Sequence, residues 1–342
     1  MAAENHIGMF LKGMKNSMKK YFALMFVLLI LVSSLLSSCD NGGKEISLQA
    51  SEDASTSEIS NIESESSVPP TETNSITNME KLENADGVIS VTEQTLSDVA
   101  KDAVAYKVLY ESENGRLAAD VVLPKDYTSK NYPVLIYFPQ VRTYLNSLAA
   151  TYALNGIIVI RPYARGYDES EGMRDMGGNK DLADSLKLLE IFDSASFIEN
   201  SKIFVAGSSE GSILALRLFA EAPENRITGC AVIDIIADLY EFGNARGEGS
   251  QNLSKALIGK SYEEAPEEYE LRSAVKFSEK LDGPILLMHY LQSTIFPEEQ
   301  ADALYELIKD NPDCSYYKID ALSSDFNGES LQRLLSWINK YD

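Results

Sequence analysis

Ser209 is the residue best placed for nucleophilic chemistry. It sits in Gly207-Ser208-Ser209-Glu210-Gly211, a G-x-S-x-G pattern. The pattern alone is short enough to arise by chance, so its flanks decide its meaning. Ile203-Phe204-Val205-Ala206 is an apolar run of strand length, and Ile213 to Ala220 is built of strong helix formers. Strand, sharp turn and helix in that order lift a serine hydroxyl clear of a sheet edge, and the residue after it, Glu210, offers a backbone N–H to a developing oxyanion. The two glycines leave room for a strained turn and close packing. The bland reading is a small-residue turn between a core strand and a helix. A serine hydroxyl also needs an adjacent base. The chain holds only two histidines, His6 and His289, so a proton acceptor near neutral pH is scarce.

The surrounding sequence predicts the elements that would carry this turn. Apolar strand-like runs fall at residues 105–110, 117–123, 133–138, 157–160, 229–236, 284–289 and 314–319, and helical patterns at 144–154, 181–192, 297–309 and 329–341. Asn114-Gly115 between the first two runs marks a hairpin. Strands alternating with helices predict an α/β domain over residues 88–342, a mostly parallel central sheet with helices on both faces and its site at the strand C-termini.

The N-terminal third reads differently. Lys12, Lys15, Lys19 and Lys20 precede an apolar run over residues 21–36, followed by Leu36-Ser37-Ser38-Cys39. A basic segment, an apolar core and small residues describe a secretory signal over residues 1–38. Met18-Lys19-Lys20 is the more ordinary signal start, and an uncleaved anchor is the alternative, though the core is short for a spanning helix. The L-S-S-C ending resembles the lipobox of bacterial lipoproteins. That resemblance implies lipidation of Cys39, anchoring in the bilayer, and a domain on the extracytoplasmic side of a bacterial cell envelope. Residues 39–87 are rich in Ser, Thr, Asn and Glu with few aromatics, which predicts a disordered tether. A chain of that length reaches about 40 Å. The net charge of −22 argues against nucleic acid as a partner.

From about residue 106 onward the blocks resemble the catalytic domain of the prolyl oligopeptidase group of α/β-hydrolases. The likeness is carried by Asn114-Gly115-Arg116-Leu117 with Leu123-Pro124 and Tyr132-Pro133-Val134, by Arg165-Gly166-Tyr167 with Ser170-Glu171-Gly172, by the serine turn, and by Leu257-Ile258-Gly259-Lys260 through Glu267 to Ala274 and Gly283-Pro284 to His289. It implies a Ser-His-Asp triad acting on a peptide or an acyl or ester small molecule, without a cofactor. Here the chain departs from the group. Alignment on His289 and Pro297 puts Ser293 at the acid position, and alignment on Phe326 puts Ser324 at the histidine position. The glycine-rich oxyanion segment becomes Phe138-Pro139-Gln140-Val141, and proline has no N–H to offer. Asp234, Asp238 and Asp325 are conceivable replacement acids and His289 a conceivable displaced base, yet an acid without an imidazole leaves no base near pKa 7.

Two expectations follow. As an enzyme, the protein would hydrolyse through Ser209 with a non-standard base; as a catalytically impaired relative, it would hold a ligand in the old cleft. The remaining features read blandly. Cys230 and Cys314 are strand residues whose pairing is open. Glu263, Glu264, Glu267 and Glu268 form a solvated face rather than a metal site, and no metal motif stands out. Tyr137, Phe138, Tyr144, Tyr163 and Tyr167 could line a pocket or pack in the core.

Overall fold

The strand sequences dictate a sheet buried on both faces. Val134–Phe138 (β4), Ile203–Ser208 (β6), Gly229–Ile233 (β7) and Ile285–Tyr290 (β8) are buried at every position. That is the pattern of parallel strands covered by helices. In the computed structural model the described residues are 79, 81–96, 101–113, 115–139, 146–323 and 325–342, all within the unit Ser67–Asp342. The signal segment, Cys39, most of the tether, and Asn114, Gln140, Val141, Tyr144 and Ser324 lie outside the described residues.

Val88–Gln94 (β1), Ala103–Ser112 (β2), Gly115–Pro124 (β3), Ile158–Pro162 (β5) and Cys314–Ile319 (β9) complete a nine-stranded sheet of order β1-β2-β3-β5-β4-β6-β7-β8-β9. Pairing is antiparallel from β1 through β3 to β5 and parallel from β5 across to β9. Side-chain alternation sorts the core into two layers. Ile136, Val205 and Leu287 face Asn179–Asp193 (α2), Gly211–Glu221 (α3) and Glu298–Ile308 (α7). Tyr137, Phe204 and Met288 face Asn146–Leu154 (α1) and Gly328–Tyr341 (α8). Leu239–Arg246 (α4), Glu248–Ile258 (α5) and Pro266–Glu270 (α6) lie between β7 and β8 in the chain.

Three details differ from the sequence reading. Residues 79 and 81–87, assigned to the disordered tether, belong to the domain. Leu82 has no exposed surface and Met79 joins it in the core, with Ala85 and Val88 packed alongside. Their three-residue spacing forms an apolar face that the segment's average composition hides. The strand predicted to reach residue 236 ends at Ile233, because Asp234 turns to φ +49°. Cys230 and Cys314 are free thiols. Cys230 and Cys314 both pair with Ile285, from opposite sides, so β8 separates them by two strand spacings of about 4.8 Å, beyond disulfide reach.

Candidate functional site

The serine turn is built by steric necessity. Ser209 follows β6 with φ +55°, a conformation that costs a non-glycine residue on the order of 1–3 kcal/mol. A Cβ at Gly207 would meet the Gly211 carbonyl and Ala215, and a Cβ at Gly211 would land on the carbonyl of Phe138 at the end of β4. Ser209 N–H donates to Ile233 O on β7 (3.0 Å), and its carbonyl accepts from Ser212 N–H (3.1 Å) and Ser212 Oγ (2.6 Å). Ser212 Oγ in turn accepts from Ile236 N–H (3.1 Å). The turn is thereby clamped between β4 and β7. Ser209 itself is fully buried. Glu210, the predicted oxyanion donor, precedes the first turn of α3, where backbone N–H groups lack intrahelical acceptors; its carboxylate pairs with Arg174.

The residues predicted to serve Ser209 are placed elsewhere. Ser293 closes the turn after β8: its Oγ accepts from Phe296 N–H (3.2 Å) and its N–H donates to Tyr290 O (2.9 Å). His289 is 2% exposed and points with Ile285 and Leu287 toward the α2, α3 and α7 layer. Its Nδ1 lies 3.1 Å from Asp234 Oδ1 without the alignment of a hydrogen bond. The same Asp234 oxygen accepts from Tyr290 N–H (2.9 Å), so Asp234 ties the ends of β7 and β8 together. Asp238 caps α4 by accepting from Glu241 N–H (3.1 Å). Asp325, beside the predicted histidine position, lies on the other layer with Tyr137. Its Oδ1 accepts from Phe326 N–H (2.7 Å) and from Tyr137 OH, which lies 3.2 Å from Ser208 Oγ. Burial pushes Asp325 up to about 7. This network reaches the serine before the turn's tip, and Asp325 O also accepts from Tyr290 OH (3.0 Å).

A cavity of about 540 Å³ opens beside the turn, lined by Phe138, Pro139, Tyr163, Tyr167, Glu210, Gly211 and Leu214, together with Asp181 and Asp184 of α2. Arg165 is buried there, its Nη2 2.6 Å from Asp184 Oδ1, and Ser112 donates to the same carboxylate. Burial raises Asp184 and pushes Asp181 up to about 6, with Asp175 and Asp184 adding repulsion. Sequence reasoning found Arg165, Phe138, Tyr163 and Tyr167 but not Asp181 or Asp184, which sit on an ordinary amphipathic helix; the only signal was their place in the element after the Arg165 loop. Tyr137 packs in the opposite layer. Of the glutamate cluster, Glu263, Glu264 and Glu267 are exposed, while Glu268 lies 2.8 Å from the buried Arg272, which also binds Asp175. Among the described residues no group of three or more His, Cys, Asp or Glu side chains could hold a metal.

Strand order, crossover pattern and a serine turn after β6 can now be compared with solved structures. A dipeptidyl peptidase 4 from Porphyromonas gingivalis superposes with a TM-score of 0.58 at 14% identity, over 70% of this chain and 36% of its own. An acetyl xylan esterase from Paenibacillus sp. R4 gives 0.60 at 15% identity, over 79% and 95%. This chain has the α/β-hydrolase fold. An acylaminoacyl peptidase in complex with Z-Gly-Gly-Phe-chloromethyl ketone shares the hydrolase fold with a TM-score of 0.56 at 17% identity, over 69% of this chain and 40% of its own. No family model matches the sequence. The uncharacterized peptidase YtmA of Bacillus subtilis is 26% identical over 141 residues, 40% of this chain. The match spans 52% of that relative's length.

Proposed function

We propose that this hydrolase-fold domain binds a peptide or an acyl or ester small molecule in the cavity beside the Ser209 turn, and that it is not a conventional Ser-His-Asp hydrolase. The observation that carries this reading is the place of His289: buried, turned toward α7 and set beside Asp234, whose Oδ1 holds the end of β8. His6 belongs to the signal segment, so no other imidazole is available to Ser209. Loss of the serine or histidine of such a triad costs about 10⁶ in turnover. With serines at both partner positions and a proline in the oxyanion segment, little rate would remain. Apolar and aromatic walls with a few polar groups are what a small-ligand site requires, and an acylaminoacyl peptidase of this fold takes a peptide-like inhibitor.

A second reading, hydrolysis through Ser209, draws on the strained backbone at φ +55°, a conformation that clusters at functional sites. A fluorophosphonate probe applied to the full chain and to Ser209→Ala decides between them. Equal background labelling of both proteins is the expected result; labelling that vanishes in the variant would establish an activated serine. The same reading places the domain outside the cytoplasmic membrane of a bacterial envelope, tethered through a lipid on Cys39. Incorporation of labelled palmitate in wild type, and its loss in Cys39→Ala, is the corresponding test.

A further inference from the structure

We propose that the cavity takes a small organic cation, a protonated amine on an apolar body, with Asp181 as its counter-charge; this rests on the binding reading above and names its ligand class. The inference comes from the charges in the cavity wall. Arg161 Nη2 lies 2.6 Å from Asp120 Oδ2, Arg165 Nη2 lies 2.6 Å from Asp184 Oδ1, and Arg174 pairs with Glu210. Each guanidinium in or behind the wall is thus matched by its own carboxylate. Asp168 and Asp181 are the wall carboxylates left over: among the described residues neither has a cation within ion-pair distance. Asp168 is exposed at the rim, where water screens it. Asp181 is half-buried in the first turn of α2, and its Oδ2 accepts one hydrogen bond, from Gly177 N–H (2.8 Å).

The groups facing Asp181 do not supply the missing charge. Asp175 and Asp184 are negative, and Arg165 is committed to Asp184. The positive end of α2 helps, but a helix terminus carries only about half a charge. A carboxylate withdrawn from water without a cation is unfavourable, so a ligand ammonium that pairs with it is favoured by the full difference. Phe138, Pro139, Tyr163, Tyr167 and Leu214 would cover the ligand's apolar body. The volume of about 540 Å³ suits a drug-sized molecule rather than a bare metal ion. An anionic ligand would meet the two uncompensated carboxylates.

The experiment is calorimetric titration of the full chain with phenylbutylamine, phenylbutanol and phenylbutyrate, which differ in charge at one end. The expected result at neutral pH is an amine affinity at least tenfold above that of the alcohol, with the butyrate weakest. In Asp181→Asn that preference should disappear, and in wild type it should fade as pH drops through about 6, where Asp181 takes up a proton. Equal binding of amine and alcohol would overturn the cation assignment and leave the cavity-binding reading standing. No binding of any of the three would take both down. A preference that survives in Asp181→Asn, or that ignores pH in wild type, would overturn the role of Asp181.

Discussion

Replacing Asp181 by Asn should make the protein more stable near neutral pH and leave it unchanged in acid. The carboxyl group is raised from 3.8 to about 6 in the folded chain, first by burial and then by Asp175 and Asp184, partly offset by the Gly177 N–H and Arg165. A raised acid means the folded state holds its proton more tightly than the unfolded state does. Stability attributable to the group is therefore greatest below about pH 4 and declines as pH rises to about 6, after which the cost is constant. A shift of about two units corresponds to about 3 kcal/mol. Because the carboxyl borders a solvent-filled cavity, water and salt reduce this to about 1–2 kcal/mol. Asn is isosteric, carries no charge and can still accept from Gly177 N–H. Urea unfolding of wild type and variant at a series of pH values from about 4 to 8 isolates the term, since all other titrations cancel in the difference. The curves should coincide at the acid end and separate by about 1–2 kcal/mol above about pH 6.5. A variant less stable than wild type at neutral pH, or a difference that does not vary with pH, would refute the account of Asp181 as an uncompensated charge.

Two further outcomes test the packing around the site. Gly211 opens α3, where Ala would ordinarily gain about 1 kcal/mol, yet Gly211→Ala should lose about 2–3 kcal/mol because its methyl group meets the Phe138 carbonyl. Gly249→Ala in α5, whose Cβ would meet nothing within 4 Å, should hold or gain stability; denaturant midpoints of the pair check the contrast. Arg165→Met leaves the Asp184 carboxylate buried without its cation and should cost about 3–5 kcal/mol by chemical denaturation. Most of that loss should be recovered by adding Asp184→Asn.

Much of the hydrolase fold was legible because its strands are short apolar runs with punctuated ends, and because Gly207 and Gly211 stand where nothing larger fits. The serine turn was legible for the same reason. What escaped depends on contacts rather than on patterns. The apolar spacing of Met79, Leu82 and Ala85 was diluted by polar neighbours, so composition assigned it to a tether. The side of the sheet to which His289 points follows from the register of β8, which a sequence alignment does not contain. The cavity carboxylates Asp181 and Asp184 gain their character from burial and from Arg165, on a different element.

The clamp around Ser209 also sets what can vary in this protein over time. The positions that would supply a base and an acid belong to turns after β9 and β8; at Ser293 the side chain closes only its own loop, so a single codon change there disturbs nothing beyond it. The serine turn has no such freedom, since its shape is fixed at once by the end of β4, the end of β7 and the first residues of α3. Reactivity can therefore come and go while the turn persists. In a chain of this architecture, G-x-S-x-G is inherited first as a joint between strands, and only the loops above it record whether the joint is armed.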